Sequence, residues 1–416
     1  MSFFKTILIG TLLPGALLHA QQTKLLDNTF LHSIRSETAH AHPAVTSAEN
    51  LAEAAIQDTR ALRLWDDPTV GIGFMAARRP QMRREEGDVM ASLSIPLPKP
   101  GLYQAQREKS EAMERMEQEK IRAASIGSGT EAAMLAIELA LSDEVIKLLQ
   151  GELAWLREME INASQMALAP SSTGIDSIRI STELVKSEET LAAAIRNREG
   201  LSQRLNLVMG RTLDREWQTL RLPKSAPAVP IAASEVARIP FTNPRMLAMK
   251  EIANATHADI RIADRERLPS FGVGVETRAY SGSSDGYRGT TLGLSMSIPW
   301  FNKDSYDAKI DAAKSRTEAA IGDVETTRRE IADQVIQAAT EAANAASQSR
   351  AYAGEIRTKA IEANDSIQAS WINSKAPLTD LLESRRLLFS VDLEQRRFIA
   401  MQLAAIEKLN LLVPSK

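Results

Sequence analysis

Two stretches without proline, Gly101 to Ala169 and Asn302 to Lys375, constrain this chain more than anything else in it. Proline inside a helix removes a backbone donor and clashes with the preceding turn, so long stretches without it leave helix open as the continuous solution. At 1.5 Å per residue, each stretch makes a rod of roughly 100 Å. Apolar residues recur in the first at coiled-coil spacing: Leu139, Ile146, Leu149, Leu153 and Leu156. The second runs in steps of three and four, with one step of seven after Val324, through Ile321, Val324, Ile331, Val335, Ala338, Ala342 and Ala345. Rods of this length serve reach, and something must lie at each end.

The composition suits such rods. Hydrophobic residues make up 44% of the chain but aromatics only 5%, which favours close helix packing over a thick aromatic core. The net charge of −3, with basic and acidic residues interspersed, gives no case for a nucleic-acid partner. The absence of cysteine excludes disulfides, thiolate zinc sites, cysteine nucleophiles and a lipid anchor on cysteine.

Residues 1–20 carry the pattern of an export signal peptide. Lys5 supplies the positive region, Thr6 to Leu18 is apolar, and Leu18-His19-Ala20 precedes polar Gln21 and Gln22. That apolar run is too short to span a bilayer as a helix, and no other run in the chain is long enough. A β-barrel stays open, because its signal is weak alternation over segments of about ten residues.

The chain then reads the same way twice. A helix from Ala44 to Trp65 is stopped by Asp67-Pro68, and one from Asn243-Pro244 to Arg267 is stopped by Leu268-Pro269. Strands are predicted over about 69–78 and 88–97, and again over about 270–280 and 290–299. Long helices follow over about 101–169 and 175–209, and over about 303–375 and 378–412. Pro43, Pro68, Gly71 and Gly73 match Pro244, Pro269, Gly272 and Gly274 at an offset of 201. Pro96 and Tyr103 match Pro299 and Tyr306 at 203, and Asp176 matches Asp380 at 204. So steady an offset marks an internal duplication. The first repeat covers residues 21–210, a proline-rich linker or equatorial segment covers 211–242, and the second repeat covers 243–416.

Each predicted strand has the length a tilted strand needs to cross hydrocarbon. Four of them make a sheet with two open edges, which lipid does not tolerate. Strands that cross a membrane must therefore be pooled among chains; a soluble sheet capping a helical protein is the competing reading.

The order helix, β-hairpin, rod, turn, rod, repeated after a leader, resembles the TolC-type outer-membrane efflux protein family. The likeness rests on Asn243-Pro244, on Leu-Pro-Ser-Phe-Gly-Val-Gly at 268–274, on Leu-Gly-Leu-Ser-Met-Ser-Ile-Pro-Trp-Phe at 292–301, and on Thr-Asp-Leu-Leu-Glu-Ser at 379–384. It implies a mainly α fold with a small β part, assembled as a homotrimer. A trimeric 12-stranded β-barrel in the cell outer membrane would continue as a 12-helix α-barrel through the periplasm. Such proteins are passive exit ducts that meet a periplasmic adaptor and an inner-membrane transporter. The segments Trp65 to Gly71 and Ser94 to Gly101 look like the family's heavy-metal cation branch. Drugs, metal cations and a protein secreted by a type I system remain open as cargo. A soluble periplasmic coiled-coil adaptor is the alternative from another class.

The resemblance also implies where function lies. The family's acidic ring at the periplasmic entrance falls on Asp380 and Glu383, with Asp176 the counterpart of Asp380 in the first repeat and Arg179 opposite Glu383. Acidic rings select cations; an acid favoured by the helix dipole and a solvated surface charge are the plain alternatives. Adaptor contact is expected at the helix-turn tips, Pro170, Ser171, Ser172, Thr173 and Gly174, and Ser374, Lys375, Ala376 and Pro377. Ser374 and Ala376 replace the glycine and arginine of the best-known members, so a gate latched by that arginine is not expected, while Trp371 keeps an aromatic position. Arg78, Arg79, Arg83 and Arg84 form a basic outer loop able to meet lipopolysaccharide phosphates.

No catalytic constellation accompanies these features. Gly71-Ile-Gly73 and Gly272-Val-Gly274 sit inside strands with no helix after them, unlike a phosphate loop. His32, His40 and His42 have no cysteine to complete a zinc site, and neither metal nor cofactor is expected. No Ser-His-Asp order, zinc-protease motif or phosphate loop is present, so the chain is read as no enzyme.

Overall fold

The computed structural model describes residues 23–79, 84–167, 174–225, 227–281 and 287–414. The expected signal peptide over residues 1–20, Arg83 and Pro170 to Thr173 lie outside them. The chain is mainly helical with one small sheet of consequence. It opens with β1 (Lys24–Leu25), α1 (Asn28–Ala41) and α2 (Pro43–Ala61). Asp27 caps α1 by accepting the Phe30 amide at 2.7 Å, and Pro43 takes the first helical position of α2, where no amide is missed.

The first hairpin is β2 (Thr69–Arg79) and β3 (Arg84–Pro96), followed by α3 (Leu102–Met166) and α4 (Ile175–Val208). The segment between repeats contains β4 (Leu220–Arg221), which pairs in parallel with β1, and α5 (Ala232–Thr242). Then come α6 (Pro244–Glu266), β5 (Phe271–Ser281), β6 (Tyr287–Met296), α7 (Lys303–Ala351), α8 (Arg357–Ile372) and α9 (Leu378–Leu412). The 65-residue α3 runs unbroken for roughly 100 Å.

Alanine explains how the helices pack so tightly around it. Ala132, Ala133, Ala136, Leu139 and Ala140 are fully buried and join Leu31, Ile34, Leu205, Ile399 and Leu403 in the largest apolar cluster. Gly129 meets α1 so closely that a Cβ there would lie 3.3 Å from the Arg35 Cα. In α7 the buried seam runs through Ile331, Val335, Ala338, Ala342 and Ala345, as the spacing predicts. Nearer the sheet it passes through Ala313, Thr317 and Ala320 instead, and Ile321 is exposed.

Three expectations need correction. The helix expected to reach Trp65 ends at Ala61, because Leu64 and Trp65 have no surface to pack on and stay half exposed. The second rod, expected to be continuous over about 303–375, is divided by a π-helical turn at Tyr352–Ile356, where Gly354 takes the non-helical φ −99°, ψ −113°. It also stops at Ile372, ahead of the expected end.

The sheet order is β2-β3-β5-β6, with every neighbour antiparallel. The two hairpins thus meet along β3 and β5, with Leu93 opposite Val275 and Ala91 opposite Thr277. β2 and β6 are left as edges.

Candidate functional site

Register decides what each face of the sheet can touch. Val70, Ile72 and Phe74 of β2 stand beside Leu93, Ala91 and Val89 of β3. The row continues through Val273 and Val275 into Leu294 and Leu292. One face is therefore largely apolar across all four strands, interrupted by Thr277 and Thr290, and Ile72, Phe74, Leu292 and Leu294 are about 70–80% exposed on it. An apolar band of this kind on a single chain marks a surface meant for a partner or for lipid. Trp65, Trp300 and Phe301 lie exposed where the strands join the helices, as interfacial aromatics do.

The opposite face carries Gly71, Gly73, Ser92, Ser94, Gly272, Gly274, Glu276, Arg278, Thr291, Gly293 and Ser295. Two of its glycines leave room for serine hydroxyls of the neighbouring strand. A Cβ at Gly71 would stand 2.6 Å from Ser92 Oγ, and one at Gly272 would stand 2.7 Å from Ser295 Oγ. The outer end of the first hairpin pairs Arg78 with Glu85 and Arg79 with Arg84 along the backbone.

At the far end of the rods, Met159, Ala163, Ile180, Trp371, Leu378 and Leu381 tie both helical hairpins together. There α8 ends in a Schellman motif. The Lys375 amide donates to Ser370 O and the Ser374 amide to Trp371 O, both at 2.8 Å, with Ser374 at φ 57°. Pro377 then starts α9 in extended backbone.

Asp380 lies in the first turn of α9, and Glu383 follows one turn later on the same exposed stripe. Thr379 Oγ1 donates to Asp380 Oδ1 at 3.3 Å. Asp176 occupies the equivalent first turn of α4 and is half-buried. The two acids of α9 differ in company. Glu383 shares a surface hollow of about 650 Å³ with Arg179, Glu183 and Arg386. Arg386 Nη2 donates to Glu183 at 2.9 Å. Burial works against the Glu183 carboxylate, but the hydrogen bonds and charges of Lys186 and Arg386 outweigh it and hold its pKa below the ordinary value.

Deeper along the rods, sequence reasoning missed two anchors, one buried and one half-buried. Asp143 Oδ1 accepts from Arg198 Nε at 2.5 Å while Oδ2 accepts the Leu220 amide at 2.7 Å, so one carboxylate clamps α3, α4 and β4. Arg385 donates to Glu152 at 2.7 Å and stacks 4.7 Å from the Trp155 ring centroid. Each joins residues distant in sequence, so no local spacing announces them. The charged pair Glu276 and Arg278 was findable, since both fall in phase with Gly272 and Gly274 along one strand.

Among the described residues no group of three His, Cys, Asp or Glu side chains is placed to hold a metal ion, and no helix is long and apolar enough to cross a membrane. The site is thus a pair of surfaces, a two-faced sheet and a charged helical tip, joined by rods.

Comparison with known proteins fits this geometry. Residues 241–413 match the family described as "Outer membrane efflux protein". No curated protein matches the chain. Among solved structures, the outer-membrane channel OprN superposes with a TM-score of 0.76 at 16% identity, covering 94% of this chain and 91% of that one. CusC, described by its transmembrane channel formation, gives 0.75 at 14% identity over 95% and 94%. The open-state MtrE outer membrane channel of Neisseria gonorrhoeae gives 0.72 at 16% identity over 91% and 88%. At these identities the likeness is one of fold.

Proposed function

We infer, for a chain whose residues 241–413 match the outer membrane efflux protein family and whose whole fold is that of solved outer-membrane channels, that it is the outer-membrane duct of a tripartite efflux system. The observation that carries this reading is the four-stranded sheet, largely apolar on one face and Gly/Ser-rich with a few charges on the other, with the outer edges of β2 and β6 unpaired. In hydrocarbon each unpaired backbone group costs several kcal/mol, so both edges must be covered. Because strand directions alternate, β6 of one copy meets β2 of the next antiparallel, and head-to-tail addition around an axis closes a ring. Three copies of the four-stranded sheet supply twelve strands, an even number as in other bacterial outer-membrane barrels. The apolar face then meets lipid and the polar face lines water.

The rods continue the duct into the periplasm, where three copies of the paired helical hairpins make the twelve-helix α-barrel. The tips, from Gly174 and from Ser374 to Pro377, are where a periplasmic adaptor meets the duct, and an inner-membrane transporter supplies the energy. Asp380 and Glu383, with Asp176 as the first-repeat counterpart of Asp380, form the acidic entrance. Small molecules or metal cations are the cargo class that a water-lined passive bore of this kind passes.

The test is the assembly itself. Purified in detergent, the protein should run as a trimer by light scattering and fall to monomers on a gel only after heating. The chain has no cysteine, so introduced pairs on β2 and β6 should cross-link between copies without background. A water-soluble monomer would remove the duct and favour a periplasmic coiled-coil adaptor.

A further inference from the structure

Three described side chains on the polar face of the sheet are charged, and no sheet of this kind needs them for cohesion. Among the described side chains of that face, Asp88, Glu276 and Arg278 are the charged ones; the rest are mostly glycine, serine, threonine and methionine. Arg278 Nε lies 3.4 Å from Asp88 Oδ2, and its Nη2 lies 3.5 Å from Glu276 Oε1. Asp88 is only 8% exposed, yet its Oδ1 has no hydrogen-bond partner. The backbone ladder is complete without any of them, since Asp88 pairs with Tyr280 and Glu276 with Thr291 along the strands.

Their height matters. From Phe271 at the strand base to Glu276 is roughly 17 Å along the strand, or about 13 Å along the barrel axis at the usual tilt. That is close to the middle of the hydrocarbon layer, where an ionisable side chain is tolerated if it faces water and then marks a permeation path. Among the described side chains of this face, two carboxylates against one guanidinium leave one negative charge uncompensated. A barrel of twelve strands has a backbone radius of roughly 12 Å, from strand spacing and tilt. The side chains project inward from that wall, so permeant ions pass within about a Debye length of these charges, roughly 8 Å at physiological salt.

We propose that Asp88, Glu276 and Arg278 form a charge-selecting station in the barrel bore, separate from the helical tip, that favours small cations over anions. It rests on the outer-membrane duct reading and deepens it by adding a second filter. Arg278 sets the strength of the filter by neutralising one of the two acids.

Reversal potentials of the full-length protein in planar bilayers under a potassium chloride gradient test this. Glu276→Gln should lower the potassium-to-chloride permeability ratio about twofold, and Arg278→Gln should raise it about twofold, as expected for partly screened wall charges. Arg278→Lys should hold the wild-type ratio. Opposite signs for the two neutralising variants are the signature, because a purely structural role would move both the same way. Each variant is first shown to form heat-modifiable trimers, and Glu276→Gln with Arg278→Lys decides the matter if Arg278→Gln does not assemble. Conducting trimers whose ratio is unmoved by Glu276→Gln, or moved the same way by both neutralisations, overturn the station while leaving the duct intact. Wild-type trimers that do not conduct overturn the duct, and the station with it.

Discussion

Glu152 is a carboxylate that the fold has placed where carboxylates are uncomfortable. Burial pushes its pKa up from 4.5, and the charge and hydrogen bond of Arg385 only partly offset this. The folded chain therefore holds the proton more tightly than the unfolded chain does. Stability from this residue is greatest at low pH and is lost as pH rises through the raised value. Glu152→Gln mimics the protonated form, so the melting temperature of the variant minus that of wild type should grow as pH rises from about 4.5. A difference that shrinks with rising pH would mean that Arg385 outweighs burial. Glu407, raised by burial against Arg35, belongs to the same class. Neither was legible in the sequence, because burial of a charge depends on which distant helix lies over it.

Helix ends carry the clearest contrast at the scale of elements. Two α-helices close with the same Schellman geometry. After α4, Gly210 at φ 67° takes the left-handed position, and the Arg211 amide donates to Asn206 O at 2.8 Å. After α8, Ser374 takes it at φ 57°, and a residue with a Cβ pays for that conformation with roughly 1 kcal/mol. Ser374→Gly should therefore stabilise the tip by about 1 kcal/mol, measured as a shift of the denaturation midpoint. An unchanged or lowered midpoint would mean that the greater freedom of glycine in the unfolded chain cancels the relief. Proline and glycine punctuation made most helix limits legible, as at Asn243-Pro244, where Asn243 Oδ1 accepts the Met246 amide at 2.9 Å. The π-helical turn at Tyr352–Ile356 was not legible. Gly354 alone is weak evidence of a break, and a Cβ there would meet nothing within 4 Å to mark it.

At the scale of the whole molecule, the charges at the tip matter only when copies surround an axis. Replacing Asp380 by Asn and Glu383 by Gln together should weaken block by multivalent cations added from the tip side of a bilayer. Unchanged block would return both acids to the role of solvated helix charges. Arg179 and Arg386 beside Glu383 suggest that Asp380 carries the larger share. What the sequence by itself determined is the periodic content: long helices free of proline, strands of membrane length, and a unit copied twice. Those follow from local rules, since backbone propensity and side-chain period are written residue by residue. Only the tertiary structure decided which strands are edges, which residues align into one apolar band, and which charges meet. Sheet order and register bring Asp88 beside Arg278 across 190 residues of chain, and contacts between residues so far apart depend on the packing of the whole.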